Sequence, residues 1–265
     1  VLMSYANPDL HTTVGRNLLK KRGYFNGDIS YSLVPQKNPK KMKLQYAVRM
    51  GQLWTIDTLG YVGFTPGQDS LISAHADEAM TRSGAPFDIS TLESERQRIT
   101  QLFRDNGYFY YEKGMASYLA DSVSRPGTVA VNLQLLDSID GRALRTWTIR
   151  NINGNLRRSL FENIDTTSHG RSLRVHYNGT HSPLRRRVLS NQIKLKRGDL
   201  YSASLQEETQ QRLNATVIFS QTRLSFVPID STEQCSQLDV VADCVFDKPY
   251  DFFIEAYGKG KTSGK

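Results

Sequence analysis

The sequence predicts an α+β protein made of tandem βααββ units, each a three-stranded sheet with two helices on one face. Three observations predict it. Leu18-Leu19-Lys20-Lys21-Arg22-Gly23-Tyr24-Phe25 returns as Leu102-Phe103-Arg104-Asp105-Asn106-Gly107-Tyr108-Phe109, and a weaker copy ends at Val217-Ile218-Phe219. After each copy come two alternating apolar segments joined by a polar turn, the pattern of a hairpin. Trp54-Thr55-Ile56 recurs as Trp147-Thr148-Ile149 at the start of a unit. A supersecondary unit repeated at this spacing decides the architecture before any residue-level argument.

In the first unit, Asn7-Pro8-Asp9 combines a capping residue, a first-turn proline and an acid, so a helix starts there. Leu10, Val14 and Leu18 make its apolar stripe, Lys20 to Arg22 suit its negative end, and Gly23 supplies the stop. Ile29, Tyr31 and Leu33 alternate with polar neighbours, 35–39 is a turn, and Leu44 to Met50 alternate again. The strand that should precede the helix is absent or reduced to Val1-Leu2-Met3, so this unit reads as truncated.

The second unit opens on a strand from Trp54 to Phe64. A helix begins at Asp69-Ser70, turns Leu71, Ile72, Ala76, Ala79 and Met80 inward, and stops at Gly84. Ser90 with Glu93 reads as a capping box for the next helix, which Leu92, Ile99, Leu102 and Phe103 carry to Gly107. The hairpin strands are Met115–Ala120 and Val129–Leu135. In the third unit, Ser182-Pro183 opens a helix through Leu189 that ends near Gly198. Ser204 with Glu207 caps another running towards Val217, and Thr222–Ile229 and Leu238–Phe246 form the last hairpin. Residues 156–181 have no counterpart in the second unit and read as an insertion with room for a strand at Leu173–Tyr177. The expected boundaries are 1–51, 52–138, 139–256, and a Gly-rich linker or tail at 257–265.

No stretch approaches the ~18 apolar residues of a membrane-spanning helix. The chain opens on Val1 with no leader pattern, and reads as a fragment or mature piece. Cys235 and Cys244 are not a disulfide framework. Along an extended chain they stand roughly 30 Å apart, which predicts one buried and one loop thiol. The formal charge of +8 is concentrated: between Arg142 and Gly198 about a dozen Arg and Lys face only Glu162 and Asp165.

The unit order, the Gly-Tyr-Phe that closes the second helix, and a last strand running straight into the next unit together resemble the polypeptide-transport-associated (POTRA) domain. Such domains occur in tandem on the periplasmic side of outer-membrane β-barrel assembly and translocation proteins of the surface-antigen type. The resemblance covers essentially the whole chain, departing at the truncated first unit, the insertion, and Val217-Ile218-Phe219. It implies a non-enzymatic periplasmic arm attached to the outer membrane of a Gram-negative bacterium, without cofactors. The implied partners are unfolded outer-membrane proteins, periplasmic or lipoprotein accessory factors, and the chain's own C-terminal β-barrel after Lys265.

The physics such a fold offers is β-augmentation, in which a client strand pairs with an exposed sheet edge. The last strand of each unit is the most apolar and so central, which makes the strand after Gly-Tyr-Phe an edge. That nominates Ile29, Tyr31 and Leu33, then Met115, Ser117 and Leu119, then Arg223, Ser225 and Val227 as client or partner edges. The competing reading is that these edges are solvated or covered. Tyr108 to Tyr111 reads either as part of a client groove or as a seal in which Phe109 and one tyrosine join helix to sheet. Arg157, Arg158, Arg185, Arg186 and Arg187 leave three readings open: a solvated face, a patch for an acidic partner or membrane-proximal anionic lipid, or a nucleic-acid site. No reader motif accompanies the charge, so the expectation is no nucleic acid.

Catalytic constellations fail on geometry. His169, His176 and His181 lack helix register and a neighbouring Cys/Asp set, so no metal site is expected. Glu207 and Glu208 are adjacent on a helix and point apart. His75 reads as a boundary packing residue, and Gly258–Lys265 lacks the strand–loop–helix context of a phosphate loop. Two further classes stay open: a structural spacer or adaptor for a membrane-anchored complex, and a basic polyanion-binding or lipid-phosphate-binding module.

Overall fold

A computed structural model describes residues 7–38, 41–229 and 236–247. The chain divides into two units, Val1–Thr146 and Trp147–Lys265. Val1-Leu2-Met3, Cys235 and the tail at 257–265 lie outside the described residues.

The N-terminal unit holds α1 (Pro8–Lys21), β1 (Asp28–Pro35), β2 (Met42–Arg49), β3 (Thr55–Val62), α2 (Pro66–Ala74), α3 (Ile89–Asp105), β4 (Ala116–Asp121) and β5 (Thr128–Leu135). β1 and β2 form an antiparallel pair. The second sheet runs β3-β5-β4, with β3 parallel and β4 antiparallel to the central β5. Along β5, Val129, Val131, Leu133 and Leu135 are buried while their neighbours are half-exposed, so one face carries the core. Ile99, Phe103 and Ile72 of the two helices join Leu133, Leu135, Tyr108 and Tyr111 there, and Leu92 and Phe87 join Ile56, Val129 and Val131. Both helices therefore lie on one face, as expected.

The C-terminal unit repeats the plan with β6 (Thr148–Arg157), β7 (Thr166–Ser168), β8 (Arg174–Tyr177), α4 (Arg186–Gln192), α5 (Ala203–Asn214), β9 (Phe219–Ile229) and β10 (Gln237–Phe246). Its sheet order is β7-β8-β6-β10-β9. The three-stranded arrangement recurs as β6-β10-β9, with β6 parallel to β10, and the insertion adds β8 and β7 beyond β6.

Two irregularities recur in both units. Opposite two residues of β5 from Val129 to Val131, β3 advances three, from Ile56 to Leu59. Opposite one step of β10 from Leu238 to Asp239, β6 advances two, from Ile149 to Asn151. Each first strand thus carries a bulge at the same place. Beside each bulge a loop pairs with the strand's outer side: Gly84 N–H donates to Ile56 O at 2.7 Å and Phe87 N–H to Trp54 O at 2.9 Å. In the C-terminal unit Gly198 N–H donates to Ile149 O at 2.7 Å and Tyr201 N–H to Trp147 O at 2.8 Å. Gly84-Ala85-Pro86-Phe87 and Gly198-Asp199-Leu200-Tyr201 are therefore a further repeat. Their glycines terminate no helix.

Several helix limits differ from expectation, each for a local reason. α2 begins three residues before Asp69 because Thr65 and Gln68 form a reciprocal capping box around Pro66, and it ends at Ala74. α3 is capped by Asp88, which accepts from Ser90 N–H at 2.7 Å, and α5 by Ser202, which accepts from Leu205 N–H at 3.3 Å. Neither the Ser90–Glu93 nor the Ser204–Glu207 pairing caps a helix. α4 is one short stretch, Arg186–Gln192.

The joints also differ. Gly23 is left-handed with φ +84°, and a Cβ there would meet Phe87 O at 2.7 Å. Phe25 packs on Trp54 and Phe87, with ring centroids 5.1 and 5.2 Å apart, and so completes the core of the following repeat. At the second joint the seal is made by buried Tyr108 and Tyr111 against Phe103, while Phe109 is half-exposed. The first aromatic of the motif, and not the second, closes helix onto sheet there. In the third copy Phe219 is buried against Phe246.

One buried charge organises α3. Glu95 is fully buried and accepts from Tyr61 Oη and Met80 N–H, both at 2.8 Å, and from Arg98 at 2.7 and 2.9 Å. Burial raises its pKa, but Arg98, Met80 N–H and Tyr61 together outweigh that and hold the carboxyl below its ordinary value. Removing one member of such a pair leaves an uncompensated charge. Glu95→Ala is expected to destabilise the N-terminal unit by roughly 3–5 kcal/mol in urea unfolding. Because the folded pKa is depressed, the contribution is complete above the unfolded value of about 4.3 and is lost as pH falls through the folded value. Glu95→Gln should accordingly flatten the acid limb of a stability–pH profile. Cys244 is buried beside Leu238, Val240 and Ala242, and burial pushes its thiol up to about 12. In a Cys235→Ser background, Ellman's reagent at pH 8 should titrate no thiol until denaturant is added.

Candidate strand-addition edges

Antiparallel pairing turns the backbone groups of alternate residues away from the partner strand. Among the nominated edges, β4 is the outer strand of its sheet and β9 of its own, and β1 pairs with β2 alone. Which residues offer their backbone outward then follows from register.

On β4, Met115 lies in a 3-10 turn, Lys113–Met115, just ahead of the strand, and its carbonyl accepts from Leu136 N–H at 2.9 Å. Met115, Ser117 and Leu119 therefore turn their backbone towards β5. The outward N–H and C=O groups belong to Ala116, Tyr118 and Ala120. Arg96 of α3 reaches Ala116 O at 3.3 Å. Among the described residues nothing bonds to the backbone N–H or C=O groups that Tyr118 and Ala120 turn outward. Ser117 and Leu119 stand exposed on the outer face, Leu119 at 62%. The nomination by side-chain alternation found the strand, and the backbone groups at stake are one residue off.

On β1 the register is the reverse. Arg16 of α1 donates to Ile29 O at 2.8 Å, so Ile29, Tyr31 and Leu33 carry the outward groups. Asp28 holds Arg16 at 2.6 Å; its carboxyl lies below its ordinary value, chiefly through that hydrogen bond.

On β9, Arg223, Ser225 and Val227 face β10 with their backbone, and Thr222 and Leu224 face outward. The side chains of Arg223, Ser225 and Val227 lie on the outer sheet face with Asp243, Val241 and Asp239 opposite. That face is a polar ladder. Asp239 is held by Arg150 at 2.8 and 3.0 Å and by Asn151 at 3.0 Å, and Asp243 by Asn155 at 2.6 Å. Burial raises the Asp239 carboxyl, and Arg150 and Asn151 more than offset it, leaving a lowered pKa.

The five arginines of the basic segment do not form one patch: three line two separate depressions and two are exposed. Arg157 sits 3.9 Å from Asp243 in a cavity of about 730 Å³ that also takes Arg223, Asn214, Leu160 and Phe219. Arg185 and Arg186 line another with Ser168 and Val175, where Arg186 donates to Ser168 Oγ at 2.5 Å. Arg158 and Arg187 are exposed, and the backbone N–H of Arg158 donates to Glu162. The cavity thus brings an edge residue, Arg223, together with a basic-segment residue, Arg157, a pairing the sequence did not suggest.

In the aromatic run, Phe109 and Tyr110 pack edge to face at 4.9 Å and Arg142 lies 4.9 Å over Tyr110. His176 bridges Thr167 at 2.9 Å and Asn153 at 3.4 Å, and its pKa is lowered by burial and then by Arg174 and His169. Among the described residues no three His, Cys, Asp or Glu side chains converge as a metal site. No helix among them is long and apolar enough to cross a membrane.

No protein-family model matches the chain, and no curated protein matches it. Among solved structures it is similar to POTRA domains 3–5 of BamA from Haemophilus influenzae, at 15% identity and TM-score 0.44, over 88% of this chain and 77% of that one. It is similar to BamA from Haemophilus ducreyi lacking POTRA domains 1–3, at 15% identity and TM-score 0.49, over 73% of this chain and 30% of that one. It is also similar to POTRA domains 1–3 of the periplasmic domain of Omp85 from Anabaena, at 17% identity and TM-score 0.33, over 89% and 81%. At these scores the likenesses carry no argument. By pairing direction and central last strand, the elements of 55–135 and 148–246 follow the βααββ order that the sequence predicts, with an insertion in the second.

Proposed function

We propose that the chain is the periplasmic POTRA region of an outer-membrane protein assembly or translocation factor. It binds unfolded client proteins and accessory partners by β-augmentation and performs no catalysis. Its organisation in this reading is a first unit at 1–51, further units at 52–138 and 139–256, and a Gly-rich linker at 257–265. The observation that carries the proposal is the outer side of β4, where Tyr118 and Ala120 present N–H and C=O groups without partners among the described residues. A chain in extended conformation satisfies all four, whatever its side chains, which suits a receptor for many clients. Leu119, exposed beside them, offers an apolar contact to the client side chain that falls next to it on the same sheet face.

A photo-crosslinking residue at position 119 is expected to capture an unfolded outer-membrane barrel protein, and one at Thr128, on the central strand, is not. Ala120→Pro removes an outward N–H and leaves the β4–β5 ladder intact, because proline is tolerated on an edge. With about 1 kcal/mol lost per hydrogen bond, client binding should weaken roughly five- to tenfold at unchanged melting temperature. Unchanged binding in Ala120→Pro, or no capture at position 119, contradicts the proposal and favours a spacer.

A further inference from the structure

The second helix of each repeat sends a polar side chain to the strand that follows it, and in the C-terminal unit that side chain does more than cap a carbonyl. Gln210 of α5 donates through Nε2 to Thr222 O at 3.3 Å and Thr222 Oγ1 at 3.1 Å. Its Oε1 accepts from Leu224 N–H at 2.8 Å. Asn214, one turn on, holds the amide from behind at 2.8 Å. A carbonyl at one residue and an N–H two residues on are what a single residue of an added parallel strand would satisfy, and what two residues of an added antiparallel strand would need. The amide orientation is dictated by the bonds: Leu224 N–H needs an oxygen, and Thr222 O needs a donor. Four residues beyond, Pro228 has no N–H to offer.

The repeat shows that this is particular to β9. Gln210 lies seven residues before Val217, as Arg16 lies before Gly23 and Thr100 before Gly107. Arg16 has donors only and takes one carbonyl, Ile29 O. Thr100 is short and bonds back to Arg96 O at 2.8 Å within its own helix. On β4 the nearest contact is Arg96 to Ala116 O, at the very start of the strand. Only glutamine supplies donor and acceptor on one planar group.

We propose that Gln210 is an edge plug. Its amide stands in for one residue of an added strand and keeps β9 from taking up a client. Strand addition is thereby confined to edges without such a plug, β4 foremost. The inference rests on the strand-addition reading for its client, but the plug itself is testable without one.

The test uses the full chain as wild type, Gln210→Leu and Gln210→Glu, first by amide hydrogen exchange with no peptide present. The Leu224 amide should be protected in wild type and exchange at least tenfold faster in Gln210→Leu. Gln210→Glu at neutral pH retains an acceptor and should keep most of the protection, which a general loosening of the unit would not. A photo-crosslinking residue is then placed at Ser225 or Leu119, with a ~10-residue peptide of alternating apolar and polar residues, the pattern of a barrel strand. Wild type should crosslink at 119 and not at 225, and Gln210→Leu should gain the crosslink at 225. Unchanged Leu224 exchange in Gln210→Leu, or equal crosslinking of wild type at both positions, overturns the proposal. Loss of the crosslink at 119 in wild type counts against the strand-addition reading, while Leu224 exchange still decides the plug.

Discussion

Parallel pairing between the first and last strands of each repeat is the constraint from which the rest follows. β3 with β5, and β6 with β10, run in the same direction, and a parallel pair cannot be closed by a hairpin. The chain must cross over, and the two helices are that crossover. They bury one face of the sheet, around Ile99 and Phe103 in the N-terminal unit, where Glu95 and Arg98 bind the same helix to Met80 and Tyr61. Because the last strand takes the centre, the strand between it and the second helix has only one neighbour. An edge is therefore built into the topology.

Edges are hazards unless blunted, and this chain treats its edges differently. The outer side of β3 and β6 is partly taken by the loops around Gly84 and Gly198, and β6 is further covered by β8. Gln210 and Pro228 close much of β9. On β4 only the first outward carbonyl is capped among the described residues. The difference between open and closed edges is made by single side chains on the helices, and it leaves the fold itself unchanged.

Much of this was legible in the sequence. The Gly-Tyr-Phe copies and Trp-Thr-Ile starts are local signals, and they located the repeats and the edge strands. What escaped depends on contacts between elements distant in sequence. Glu95 sits among polar neighbours on α3, and nothing local tells it from an exposed glutamate; it is the loop bringing Met80 N–H to it that makes it a core residue. The bulges at Asp57-Thr58 and at Arg150 shift register by one and leave composition unchanged. Phe25 reads as a pin for its own helix because the motif is local, yet its partners Trp54 and Phe87 belong to the next repeat. Thr65-Pro66-Gly67-Gln68 is a capping box legible in the sequence, and it starts α2 ahead of Asp69. Gln210 looks like any polar residue of an amphipathic helix until the register of β9 shows which groups it meets.

The central claim is that β4 receives an extended chain through its backbone. The most direct measurement is amide hydrogen exchange at Tyr118 and Ala120 with and without an unfolded outer-membrane client peptide. Strand addition predicts that both outward amides exchange rapidly in the free chain and become protected together on binding, while those of Ser117 and Leu119, already paired with β5, change little. Binding that leaves Tyr118 and Ala120 unprotected would contradict it.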